Sequence, residues 1–386
     1  MGRLFAAAVA LLALGTAVAL VALWPRGEPD AKLGQGLAAP SERGEVERIE
    51  TFACSGFQTD ECRRVEVRLA TGPDTGEITT LELGAGGLDP ELAVADEVRL
   101  VANAVPPDAS PDRPPGYTLS DFERRSPMLL LVLVFVTLVV VFGRLRGALS
   151  LLGLGVSLAL VLLFIVPAIL TGRSPLLVAS VGALAVMLVT IPLAHGVGPK
   201  SIAAILGTAA SLLLTVFLAV TFTDLAHLTG LSSEEATILQ ANDAGVSLRG
   251  LVLAGMVIGA LGVLDDMTIS QASTVMALRA ADPGQRFHEL FRRGLRVGRD
   301  HVSATVNTLV LAYVGASLPV LLIFSSGEIG FLDTVNVELV AKEVIATLVG
   351  SIGLIAAAPL TTALAALLAR RIPPGALDAE HMAHAH

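Results

Sequence analysis

Charge is scarce in this chain. Only 16% of its 386 residues are Asp, Glu, Lys or Arg, against about 25% in an ordinary soluble protein. Across residues 249–264 Arg249 stands alone as a charge. Such stretches exclude a single water-soluble core, because roughly 20 apolar residues already make a helix that crosses about 30 Å of hydrocarbon. Cysteine is nearly missing: the two present, Cys54 and Cys62, both fall in the one polar region of the chain. Histidine is absent from residues 25–126, so those cysteines lack its company as metal ligands. Seven residues separate them, a spacing that suits a disulfide closing a short loop on an oxidising side of a membrane.

What is present is a series of eight apolar runs, at 4–24, 127–142, 147–170, 175–194, 201–222, 249–266, 303–325 and 342–369. They predict an all-α polytopic membrane bundle of about eight transmembrane helices, with a small extracytoplasmic β domain between helices one and two. The domain reading is an N-terminal transmembrane anchor at 1–25, a β-barrel-like domain at 26–105, a Pro-rich linker at 106–126, a seven-helix membrane domain at 127–371 and a disordered cytoplasmic tail at 372–386. Basic residues in short loops stay on the cytoplasmic side. Arg144 and Arg146, Lys200, the arginines of 279–302, and Arg370 with Arg371 fall on one side when eight helices alternate. Both termini are then cytoplasmic, residues 26–126 are extracytoplasmic, and the expected location is the plasma membrane. The first run, ending at Trp24, reads as a retained anchor rather than a cleaved signal, its apolar core exceeding the usual 7–15 residues.

The outer segment 25–126 has eleven Lys/Arg and twenty Asp/Glu, so it carries the whole net charge of −9. An acidic surface argues against nucleic acid as a partner. Its hydrophobic period is two: Val65, Val67 and Leu69 alternate with polar residues, and a Gly/Pro/Asp-rich turn leads into a second strand through Leu81 and Leu83. Strands are also expected at 45–50 and 98–102.

Within the membrane region, 146–160 aligns with 200–214 through a leading basic residue, Leu-Gly, Ser-Leu and a final Leu, the pattern of a parallel repeat of helical hairpins. Gly255, Gly259 and Gly262 suggest that the sixth helix is closely approached by a neighbour. That helix ends in Asp265 and Asp266. A charge at mid-membrane costs roughly 2.5–3.5 kcal/mol on insertion scales, and adjacent carboxylates resist joint ionisation. Gly262 and the acids are expected to break the helix. The sequence predicts an ion or substrate site of Asp265, Asp266, Thr268 and Gln271 with Ser303 and Asn307 of the next helix, and secondary candidates in Asn242, Asp243, Asp300, His301 and Glu343. A plainer reading makes Asp266 the N-cap of a short helix 267–279. A further amphipathic helix starting at Asp282-Pro283 is expected to lie at the cytoplasmic interface.

The stretch ANDAGVSLRGLVLAGMVIGALGVLDDMTISQAS, residues 241–273, resembles the signature of the YibE/YibF-like family of bacterial multi-pass membrane proteins, and the likeness runs over most of 120–370. The resemblance implies the membrane architecture with an outer β domain and points to Asn242, Asp243, Asp265 and Asp266; it supplies no substrate. From the residues, the expected function is an ion- or proton-coupled transporter or exporter of a small solute, not an enzyme. Its partners would be the bilayer and a small solute or ion, with a homo-oligomer or an extracytoplasmic protein partner left open. No cofactor is expected beyond a bound proton or cation. Two alternatives stand beside it: a membrane scaffold or regulator acting through its β domain, and a magnesium-dependent lipid-phosphate transferase.

Overall fold

The structure is a computed structural model that describes residues 2–26, 40–52, 62–84, 90–103, 116–241, 245–327 and 330–371. The chain divides into two compact units, Lys32–Leu138 and Met1–Ala31 with Val139–His386.

The first unit holds a curled antiparallel sheet of five strands, β1 (Ser41–Phe52), β2 (Cys62–Leu69), β3 (Ile78–Leu83), β4 (Glu97–Ala102) and β5 (Tyr117–Phe122), in the order β3-β2-β1-β4-β5. Alternation drives it: Val46, Val65, Val67, Val98 and Leu100 are buried on one face, with Arg and Glu on the other. Tyr117 donates to Asp74 at 2.6 Å, tying β5 to the turn between β2 and β3. β5 lies inside the stretch 106–126 expected to be a linker; its sequence, YTLSDF, follows prolines and alternates weakly. Cys62 is disulfide-bonded, and Cys54 lies outside the described residues.

The second unit is helical. In chain order its elements are α1 (Gly2–Leu23), α2 (Arg125–Leu160, entering this unit at Val139), a π turn (Val161–Ile165), α3 (Val166–Leu170), α4 (Pro175–His195), α5 (Pro199–Leu225), α6 (Glu234–Ala241), α7 (Leu248–Ala281), α8 (Phe287–Ala316), α9 (Leu318–Ser325), α10 (Phe331–Asn336) and α11 (Glu338–Ala369). Among the described residues six helices are long and apolar enough to cross a membrane, or seven if α8 and α9, bent by 64°, count as one span. Large apolar side chains such as Leu213, Phe217 and Ile355 are exposed on the outside of the bundle, as a membrane-embedded protein requires.

Local chemistry explains the irregularities. α2 breaks at Arg144, whose φ of 51° leaves the helical region. A Cβ on Gly147 would strike the carbonyl of Val139. Eight residues along a straight helix are about 12 Å apart, so the chain turns back sharply at Arg144. Pro167 cannot donate to the fourth residue before it and crowds that residue's carbonyl; the π turn at 161–165 absorbs the misfit. α4 and α5 each begin with proline at the first position, Pro175 and Pro199, where a missing N–H costs nothing.

Packing is closest between the antiparallel α5 and α11. Gly207 leaves room for Thr361, and Gly353 leaves room for Thr215; a Cβ on either glycine would collide with the threonine hydroxyl opposite. α7 meets α8 the same way, with Gly294 and Gly298 making space for Val275 and Gln271. The glycines expected to serve this purpose do otherwise. Gly255 and Gly262 face open space, and of the three only Gly259 lies against a side chain: a Cβ there would sit 3.2 Å from the Tyr313 hydroxyl.

Two expectations about helix boundaries are corrected. α7 runs unbroken through Gly262, Asp265 and Asp266, capped at its start by the Ser247 hydroxyl, which accepts from Gly250 N. The helix thus neither stops nor restarts at Asp266. The amphipathic segment after Asp282 is not a separate helix: Asp282 to Gln285 form a turn, and α8 starts at Phe287, where Arg286 N donates to Glu289 Oε2 at 3.0 Å, and continues into the next apolar run.

Candidate functional site

Asp265 and Asp266 sit halfway along α7, about 26 Å from its first residue. Both line a cavity of about 630 Å³ between α7, α4 and α2 beyond its break. The rest of its wall is mostly apolar, with Ser150, Ser157, Thr190 and His195 as polar exceptions and Gly262 widening the space beside the acids. Ser157 spends its proton within its own helix, on Gly153 O at 2.9 Å.

The two carboxylates differ. Asp265 is turned inward. Its Oδ2 lies 3.3 Å from Thr190 Oγ1, and its Oδ1 is buried with no hydrogen-bond partner. Thr190 Oγ1 also lies 2.9 Å from Val186 O, so one hydroxyl proton stands between two acceptors. Asp266 is open, with 68% of its side chain exposed, and His301 Nε2 of α8 is 3.8 Å from its Oδ2. His195, at the last turn of α4, lies within electrostatic reach of Asp266, Arg146 and Lys200. One carboxylate therefore faces an interior space and its neighbour faces the basic rim.

The remaining predicted residues are elsewhere. Thr268 is buried against α5, its hydroxyl 2.6 Å from that of Thr208. Gln271 is buried and donates to Gly294 O at 2.8 Å and to Thr362 Oγ1 at 2.7 Å, joining α7 to α8 and α11. Six residues along a helix correspond to about 120° around it, which is why Gln271 does not share the face of Asp265. Ser303 and Asn307 are exposed on α8, Ser303 donating to Arg299 O. Asp300 is exposed on the same helix. Glu343 lies near Lys342, at 3.9 Å, and lines a separate apolar cavity of about 350 Å³ with Tyr313. Asn242 and Asp243 lie outside the described residues. So the structure brings together Asp265, Asp266 and, at the rim, His301.

Sequence reasoning missed Thr190 and His195. Their signal was faint: a threonine and a histidine on either side of Pro192, on a helix whose one other polar side chain is Ser180. Among the described residues no three His, Cys, Asp or Glu side chains converge in a way that could hold a metal ion.

The sequence model of the family described as YibE/F-like protein matches residues 131–371, from the first half of α2 to the end of α11. No curated protein and no solved structure matches the chain.

Proposed function

The chain belongs to the YibE/F-like family, and from that membership and the cavity beside α7 we propose that it carries a small solute across the membrane, coupled to a proton or another cation. The observation that carries this reading is Asp265: an acid inside an apolar bundle, beside a cavity, with one carboxyl oxygen unsatisfied. Leaving a buried carboxyl oxygen unpaired is costly, and such groups in membrane helices mark ion and substrate pathways. A cavity of several hundred Å³ is the size of small-molecule sites.

The topology that goes with this function has eight spans. The reversal at Arg144 divides Arg125–Leu170 into two, and α8 with α9 makes one bent span. The termini are then cytoplasmic, the curled sheet is extracytoplasmic, and Asp266 with His301 opens toward the cytoplasm of the cell that carries the protein in its plasma membrane.

The test uses the full chain in liposomes containing a proton-sensitive or a sodium-sensitive dye. A gradient of the corresponding ion is imposed, and the small-molecule fraction of a cell extract is added outside. The expected result is an ion flux that depends on the extract and is lost in the Asp265→Asn, Asp266→Asn double variant, with unchanged thermal unfolding. Flux of equal size in the double variant, or none in the natural chain, overturns the carrier. Magnesium-dependent consumption of a lipid phosphate would point to the transferase instead. Loss of function on deleting 30–115, with normal aspartate variants, would point to the scaffold.

A further inference from the structure

We infer that the ion exchanged at this site is the proton, and that Asp265 trades it with cytoplasmic water through Asp266 and His301; as the coupling step this rests on the carrier reading above.

The ligand supply around Asp265 argues for a proton. A divalent hard cation collects six or more oxygen ligands, and a sodium ion likewise needs several. Here Asp265 has one neighbouring hydroxyl, that of Thr190. Thr268 and Gln271, the residues that could have completed a shell, are turned away and engaged with Thr208, Gly294 and Thr362. A single proton, by contrast, meets every demand of the local geometry. Thr190 has one hydroxyl hydrogen, and the nearer acceptor is Val186 O, at 2.9 Å. With that hydrogen on Val186, the oxygen of Thr190 can accept but cannot donate to Asp265 at 3.3 Å. A neutral Asp265 then donates to Thr190, and the carboxyl oxygen left without a partner carries no charge.

The route outward follows from the order of groups. Asp266 is next in sequence, lines the same cavity and is open to solvent. His301 faces it at 3.8 Å through a buried Nε2 that has no hydrogen-bond partner, a gap that a small side-chain rotation closes. Histidine is the side chain whose charge changes in the physiological pH range. The transfer conserves protons: water protonates the imidazole, the imidazolium passes a proton to the Asp266 carboxylate, and Asp266 passes one to Asp265. Discharge reverses these steps.

α4 contributes His195, which lies within electrostatic reach of Asp266, of Lys200 on α5 and of Arg146 on α2. On α8 His301 is flanked by Asp300 and Arg299, and α11 has no charge between Glu343 and Arg370.

The experiment places the full chain in lipid nanodiscs and records infrared difference spectra between acid and alkaline buffer, together with proton uptake after a rapid pH jump by an indicator dye. A protonated-carboxyl band is expected that vanishes in Asp265→Asn and is unaffected by sodium or magnesium. In His301→Gln the band persists but fills about tenfold more slowly, a modest share of what a positioned acid–base group supplies; Asp266→Asn, a second variant, slows it too. The inference is overturned if Asp265→Asn leaves the band in place, or if uptake is as fast in both relay variants as in the natural chain. A band displaced by sodium also overturns it while sparing the carrier. A normal titration without flux in the liposome assay overturns the carrier while sparing the relay.

Discussion

At the scale of single residues, glycine and threonine set the closest contacts of the bundle. Gly207 against Thr361 and Gly353 against Thr215 leave no room for a methyl group. Gly207→Ala is expected to lower stability by about 1–3 kcal/mol, the usual cost of overpacking, read as a lower unfolding temperature in detergent. Gly255→Ala, with nothing within 4 Å of its new methyl, should leave that temperature unchanged or raise it slightly. In the outer unit, Tyr117 is pushed up to about 12, first by its hydrogen bond to Asp74 and then by burial. Because the folded value exceeds the unfolded value of about 10, this pair contributes its full stability below pH 10. It loses that contribution as pH rises through 12. With Tyr313→Phe removing the other tyrosine, alkaline absorbance should titrate near 12, and adding Asp74→Asn should bring the midpoint down toward 10. The aspartate pair was legible in the sequence because a charge in an apolar run is conspicuous wherever it occurs. Thr190 was not, since its role depends on which helix lies opposite Asp265.

At the scale of elements, the long apolar helices and most strands were legible because their signals are local: long apolar runs, and a period of two in 63–69 and 78–83. β5 was not, because its pairing with β4 rather than its own pattern makes it a strand. The continuity of α7 was also hidden. A glycine in a helix costs about 1 kcal/mol, too little to interrupt 34 residues packed against α4, α5, α8 and α11. Gly262 serves the cavity instead. The π turn before Pro167 shapes the same cavity through Val161 and Ile165. Pro167→Ala should restore a regular turn there, with thermal stability equal or higher. Ion flux in liposomes should fall, because the wall facing Asp265 is redrawn; unchanged flux would separate the π turn from the transport step.

At the scale of the whole molecule, the sidedness predicted from basic loops can be read from three lysines, Lys32, Lys200 and Lys342. A membrane-impermeant amine reagent applied to intact cells should modify Lys32 and spare Lys200, and Lys200 should react once the cells are opened. Modification of Lys200 in intact cells would reverse the topology.

Gln271 has one more consequence. Its amide fastens α7 to the backbone of α8 and the hydroxyl of α11 at a single level, whereas the cavity walls of α2 and α4 touch the acid face of α7 through apolar side chains and one weak polar contact. Three helices thus share a rivet. α7, α8 and α11 are pinned together at that level by polar bonds, while α4 holds α7 through the apolar core that Met187 and Ile191 share with Leu261 and Leu264.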